Sequence, residues 1–327
     1  MKARRFGLMK TAILGIAFAM LASLAFADTY PSKPVRLLVG WAPGGGVDVT
    51  ARLIAQKLST AWGQQVVVEN RPGAGGNLAA DLAAKSAPDG YTIFLGTVGE
   101  LAVNATLFKD LPYRPMQDFS FIAMGARVPM ILALHPSVPA NDVRSLVDYS
   151  KTLPNGLAYA SPGNGSIGHL TAEMLKSATG AKLLHVPYKG AAPATTDLLA
   201  GQVQMGFSSI PAVLPHVKSG RLKAIAVTTD KRVEAVADLP TMAESGFPEL
   251  SAAGWYAFVG PAGMPQAIIE KLNRDINQAL ADPELNAKLV PQGLEAWTMT
   301  PLELRQYMAE EIARWGKVVT ASNLKVD

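Results

Sequence analysis

The chain has 327 residues, 49% hydrophobic and only 17% charged, which excludes an intrinsically disordered protein and allows one large or two ordinary domains. Its net charge is +4 at a pI near 9.1, but Lys2, Arg4, Arg5 and Lys10 carry the excess. Beyond residue 27 basic and acidic side chains balance at 26 each, which removes the electrostatic case for nucleic acid or an anionic membrane as partner. The absence of cysteine excludes disulfides, thiolate catalysis, zinc–thiolate sites and a cysteine-linked lipid.

Residues 1–27 have the three parts of a secretory signal. A basic stretch over 1–10 precedes an apolar run over 12–24, and Ala25-Phe26-Ala27 supplies a small-x-small cleavage site. Cleavage is expected after Ala27, giving a mature chain that starts at Asp28 and is free in the periplasm. The apolar run is shorter than the roughly 20 residues of a membrane span. Arg4-Arg5-Phe6-Gly7-Leu8 also loosely resembles a twin-arginine signal, so either export route fits.

Residues 35–39 form a short apolar run of the kind expected for an interior strand. Pro43 ends it, and Gly44-Gly45-Gly46 can take backbone conformations closed to other residues. From there Val47, Ala51, Ile54, Leu58 and Ala61 recur at helical spacing. A glycine turn that opens a helix presents unpaired N–H groups at the positive end of the helix dipole, a ready anion site. A plain strand-to-helix connection fits the same pattern. Asp48 sits in the first helical turn and would repel a bare anion, so it is read as a cap on free N–H groups or the holder of a water.

The alternation continues with a strand over 66–69, a glycine-rich turn over 70–77, a helix over 78–86, a strand over 91–97 and a helix over 101–108. Residues 131–134 open a second set: a helix over 142–152, a strand over 157–160, and a glycine turn over 161–169 that starts a helix running to about 178. A strand over 183–186, a helix over 193–200, a strand over 204–207, a short helix over 213–218 and a strand over 223–228 follow. The tail carries an aromatic strand over 255–259, helices over 265–281 and 301–320, and a strand near 294–297. Alternating strands and helices predict mostly parallel sheets flanked by helices. The turns at 43–48 and 162–169 would then face each other across a cleft, beyond the carboxyl ends of the strands.

Gly163-Asn164-Gly165-Ser166-Ile167-Gly168 matches G-x-G-x-x-G, yet residues 183–189 hold no acid for a ribose, which argues against a dinucleotide. The same stretch departs from G-x-S-x-G at its first glycine, and His169 follows Ser166 on one helix. Ser166 reads better as a helix cap. His135, His169, His185 and His216 lack metal-site spacing, and no glycine turn carries a Walker lysine, so neither cofactor nor metal is expected. Binding chemistry remains: two opposed helix N-termini can hold a carboxylate, each charge-assisted hydrogen bond contributing roughly 1.5–3 kcal/mol. The competing reading is a secreted α/β hydrolase using Ser166 and His169.

Several motifs together resemble the Bug family, the extracytoplasmic receptors of tripartite tricarboxylate transporters. They are Pro43-Gly44-Gly45-Gly46-Val47-Asp48, Asn70-Arg71-Pro72-Gly73-Ala74-Gly75-Gly76, Pro88-Asp89-Gly90-Tyr91-Thr92, Ser161-Pro162-Gly163-Asn164-Gly165-Ser166, Val186-Pro187-Tyr188-Lys189-Gly190, Leu239-Pro240-Thr241-Met242-Ala243-Glu244-Ser245-Gly246 and Pro261-Ala262-Gly263-Met264-Pro265. The resemblance spans the whole mature chain. It implies an α/β, two-lobed, type II periplasmic-binding-protein fold, with one lobe from 28–126 plus 253–327, the other from 127–252, and two chain crossings between them. It further implies a monomer without catalysis that closes on a small carboxylate and delivers it to membrane permease subunits, although the same fold also serves membrane sensors. By the family's pattern Pro43, Gly44, Gly45, Gly46 and Asp48 of one turn, with Ser161, Gly163, Asn164, Gly165, Ser166 and His169 of the other, grip one carboxylate, partly through waters. Thr97, Tyr188 and Asp197 are expected to read the rest of the ligand, with Trp41, Trp255 and Tyr188 as candidate aromatic walls. Gln204 departs from the pattern, which has an acid there, and is expected to alter the sheet edge or the pocket floor.

Overall fold

The structure is a computed structural model that describes residues 30–321 and Leu324; the expected signal segment and its cleavage site lie outside the described residues. Strand β1 (Val35–Val39) has Val35, Leu37, Leu38 and Val39 fully buried, and it leads through the glycine turn into helix α1 (Gly46–Trp62). The apolar stripe Val47, Ala51, Ile54 and Leu58 turns that helix onto the sheet, and Gly63 ends it in the left-handed conformation (φ 63°). Strand β2 (Val66–Asn70), helix α2 (Asn77–Ala84) and strand β3 (Thr92–Thr97) follow. The helix expected over 101–108 is instead a wide π turn, Gly99–Val103, running into a short helix α3 (Asn104–Leu107).

Strand β4 (Phe119–Val128) was not foreseen. Pro129 alone separates it from β5 (Met130–Leu134), after which come α4 (Val143–Thr152), β6 (Leu157–Ser161), α5 (Ile167–Thr179), β7 (Leu183–Pro187), α6 (Ala191–Leu199), β8 (Met205–Ser209), α7 (Ile210–Lys218) and β9 (Lys223–Val227). The tail comprises β10 (Gly254–Pro261), α8 (Gln266–Leu280), an unforeseen α9 (Pro283–Leu289), β11 (Glu295–Ala296) and α10 (Pro301–Ala321).

The strands form two sheets, each the centre of one lobe, in the orders β11-β4-β10-β3-β1-β2 and β7-β6-β8-β5-β9. As expected, most strands in each sheet run one way, and each sheet is mixed through the strands that oppose them. β1 pairs parallel with β2 and β3, but β10 pairs antiparallel with β3 and β4. β6 pairs parallel with β7 and β8, but β5 runs against β8 and β9. The cause is connectivity: β5 and β10 follow the two crossings between sheets and enter from the far side, the short β11 runs against β4, and helical crossovers keep β1, β2, β3 and β6, β7, β8 parallel. Both faces of the second sheet are covered. Leu132 and Leu134 of β5 enter one apolar cluster and Ile131 and Ala133 the other, the two-residue alternation of a doubly buried strand. Among the described residues no helix is long and apolar enough to cross a bilayer.

Candidate ligand-binding cleft

Between the two sheets lies a cavity of about 60 Å³ onto which four helix N-termini converge. α1 contributes Gly45, Gly46 and Val47; α5 contributes Ser166 and Ile167; Ala191 opens α6, and Ser209 immediately precedes α7. Thr97 and Val98 come from the end of β3, Val128 and Met130 from the crossing between sheets, and Trp41, Trp255 and Tyr256 supply aromatic wall. The lobes touch directly around it: Ala42 N–H donates to Lys189 O at 3.1 Å. Gly165 (φ +76°) packs so closely against Asn104 of the other lobe that a side chain at residue 165 would collide with it.

Of the expected site residues, Gly45, Gly46, Thr97 and Ser166 line the cavity. Pro43, Gly44, Asp48, Ser161, Gly163, Asn164, Gly165, His169, Tyr188 and Asp197 do not, and those with recorded side-chain bonds hold the walls from behind. Asp48 is buried and accepts hydrogen bonds from Gly44 N–H (3.0 Å), Asn70 Nδ2 (3.0 Å) and Arg52 Nε (3.0 Å). Burial by itself would raise its pKa, but these bonds and the Arg52 charge outweigh it and hold the carboxyl below the usual range. Asn70 also donates to Trp41 O (2.9 Å), so one cluster locks the whole first turn. Asp48 therefore caps the turn and does not reach the cavity.

The second turn is locked by its own bonds. Ser166 is the N-cap of α5: its hydroxyl accepts from His169 N–H (3.3 Å) and donates to Gly163 O (2.7 Å). His169 Nδ1 accepts from Gly165 N–H at 3.2 Å, and its ring stacks on that of His185 at 4.0 Å between centroids. His185 Nε2 is 2.6 Å from Ser161 Oγ, which in turn accepts from Gly163 N–H (3.2 Å). Burial pushes the pKa of His169 down to about 4 and of His185 down to about 3, so both rings are neutral at pH 7. Ser166 spends its proton on a carbonyl and His169 its acceptor nitrogen on a backbone amide, which leaves no Ser–His nucleophile pair. Tyr188 OH donates to Asp197 Oδ2 (2.6 Å), bracing the β7–α6 connection; burial and then the Asp197 carboxylate push its pKa up to about 12.

Two buried polar atoms in cavity-lining residues, Trp41 Nε1 and Ser209 Oγ, have no hydrogen-bond partner. Ser209, Ala191 and Tyr256 escaped the sequence reading. Ser209-Ile210-Pro211, a cap residue followed by proline in the first turn, was the available signal for an α7 start three residues earlier than expected. Gln204 also needs correcting. It does not line the cavity; Oε1 accepts from Ala158 N–H (3.2 Å) and Nε2 donates to Gly201 O (3.1 Å), fastening β6 to the turn before β8. An acid could make the first of these bonds but not the second.

Two α/β lobes meeting on a cavity ringed by helix N-termini define a solute-binding protein. Residues 50–324 match the tripartite tricarboxylate transporter family receptor, TctC, and the chain belongs to that family. It is 39% identical to Protein BugT of Bordetella pertussis over 318 residues, which cover 96% of this chain and 98% of that one. Among solved structures, an R. palustris protein with adipate is 37% identical with a TM-score of 0.88, over 90% of this chain and 99% of that one. MatC from Rhodopseudomonas palustris with bound malate is 32% identical with a TM-score of 0.85, over 89% and 100% of the two chains. The relatives bear out the Bug resemblance, and the family is one of transporter receptors, not enzymes.

Proposed function

We propose that this chain is a periplasmic receptor that captures a small aliphatic carboxylate by closing its two lobes and delivers it to the permease subunits of a tripartite tricarboxylate-type transporter. The observation that carries the reading is the convergence of four helix N-termini on one cavity, with the Ser209 hydroxyl unpartnered beside them. Backbone N–H groups and dipoles of that sign suit an anion, and both lobes contribute, so ligand contacts favour the closed arrangement. Val47, Val98, Val128, Met130 and Ile167 give the remaining wall an apolar character that fits a hydrocarbon middle. Adipate and malate in the two relatives support a dicarboxylate. In this reading Gly45, Gly46, Thr97 and Ser166 contact the ligand, while Asp48, His169 and Tyr188 position them. We place the lobe boundaries at Pro129, between β4 and β5, and just before β10.

The test is a thermal-shift and calorimetric screen of the mature chain against adipate, malate, citrate, glutamate, benzoate and glucose. A ligand at 100 times its Kd adds about 2.7 kcal/mol of stability. Stabilisation by glucose, with none from any carboxylate, would overturn the proposal.

A further inference from the structure

Glu100 lies in the π turn directly behind the cavity and is fully buried. Its Oε2 accepts hydrogen bonds from Thr97 N–H (3.0 Å) and from the Thr97 hydroxyl, while Oε1 has no hydrogen-bond partner. The Trp41 indole N–H faces the carboxyl, also without a hydrogen bond of good geometry. Both Trp41 and Thr97 line the cavity, so Glu100 touches the ligand space through them. The acid fits only because glycines surround it: a methyl group on Gly40 would stand 2.6 Å from Oε1, and one on Gly76 (φ +88°) would collide with the same carboxyl.

No cation is among the groups that set the Glu100 charge: α10 packs on the π turn, but its Arg314 pairs with Glu311 and its Arg305 lies over Phe121. The end of β1 supplies Gly40 and Trp41, and the start of α2 supplies Gly76 and the uncharged Asn77. The Tyr113 hydroxyl lies 2.9 Å from Glu100 O and 2.8 Å from Asn77 Oδ1, the two acceptors sharing its one proton. Tyr256 approaches from β10. Burial, followed by the Glu100 charge, raises the pKa of both phenols, so neither gives Glu100 a positive partner. Burial likewise pushes Glu100 itself up to about 7, against the lowering effect of Thr97, the backbone and Trp41.

Thr97 Oγ1 already accepts from Gly99 N–H at 3.2 Å. While Glu100 is ionised, the Thr97 proton is committed to the carboxylate, and the cavity meets only an oxygen lone pair with a negative charge behind it. Once Glu100 is protonated it donates to Thr97 Oγ1, and the Thr97 proton is released to face the cavity. We propose that Glu100 is a proton-coupled positioning residue: it takes one proton from solvent as a carboxylate enters and thereby turns the Thr97 hydroxyl into a donor to that ligand. This rests on the carboxylate reading above and adds to it that the ligand is taken up together with a proton.

Adipate and malate are the probes, because their own carboxyls stay ionised across the relevant range. Calorimetry in buffers of low and high ionisation enthalpy counts the protons taken up, and Kd is followed from about pH 6 to about pH 9. The bound state holds more protons, so affinity is highest below about pH 7 and weakens by up to tenfold per pH unit above it, with up to one proton taken up per ligand. Glu100→Gln removes the group that titrates and should bind with a flat pH profile and no uptake. Thr97→Val should bind more weakly and also lose the slope. If Glu100→Gln fails to fold, Thr97→Val and the wild-type proton count carry the test. Wild-type binding with no proton uptake and a flat profile overturns the inference alone, as does uptake that persists in Glu100→Gln or Thr97→Val. No binding of any carboxylate at any pH overturns the carboxylate reading and this inference with it.

Discussion

Replacing Gly46 by alanine separates binding from stability at the mouth of α1. The glycine has no left-handed φ, so alanine brings no backbone strain, and within a helix it gains about 0.5–1 kcal/mol over glycine. Its methyl group, however, would stand 2.7 Å from the Tyr256 hydroxyl and 3.2 Å from Ser209 Oγ. Tyr256 is buried, so overpacking against it costs about 1–3 kcal/mol, and the net loss of stability is about 0–2.5 kcal/mol. The effect on binding is larger. The methyl enters a cavity of about 60 Å³ at the point where the helix N–H groups are presented, and it also separates Tyr256 in one lobe from Ser209 in the other. Losing one charge-assisted hydrogen bond removes about 1.5–3 kcal/mol, a 10- to 100-fold rise in Kd. Calorimetric titration with adipate and malate, beside a urea melt of the same preparation, reads both quantities. A folded Gly46→Ala protein with wild-type affinity would refute the placement of the ligand against α1.

Two further outcomes follow from buried polar groups. Glu311 on α10 accepts from Trp255 Nε1 (2.7 Å) and Trp315 Nε1 (2.9 Å), so Glu311→Ala strands two buried indole donors at about 1–3 kcal/mol each. A loss of about 2–5 kcal/mol is expected by chemical denaturation, and a loss below about 1 kcal/mol would contradict the hydrogen-bonding account. Burial pushes the folded pKa values of His169 and His185 down to about 4 and about 3 from the ordinary 6.5 of an imidazole, so the unfolded chain binds more protons below that value. Its contribution is present above about pH 6.5 and is lost as the pH falls toward 4. The urea midpoint should drop across that window and drop less in His185→Gln; an unchanged wild-type midpoint would sink this.

What could be read from the sequence was local. The turn at 43–48 announced itself because proline, three glycines and a helical stripe are neighbours in the chain, and Ser166 announced itself as a cap for the same reason. The mixed sheets were not legible, because periodicity shows that β5 and β10 are strands but not which way they run beside partners far along the chain. Glu100 carries no motif; its burial depends on Gly40 and Gly76, which come from separate turns and leave room for a carboxyl only once folded. The family resemblance pointed to the two-lobed fold; of the residues it named, Gly45, Gly46, Thr97 and Ser166 line the cavity and the others stand behind its wall.

The position of β10 governs the order in which the chain can be completed. β3 and β4 do not pair with each other, because β10 lies between them and bonds to both. A chain that folds from its N-terminal end can therefore finish the second sheet, whose strands all fall within residues 130–227, while the first sheet still stands open at its centre. Until Gly254–Pro261 arrives, β3 and β4 each expose an unpaired edge, the feature most prone to pairing with another chain. The strand that closes the cleft floor is thus also a central stave of the sheet behind it, and truncation before residue 254 would leave a gap in the middle of a lobe, not a shorter tail.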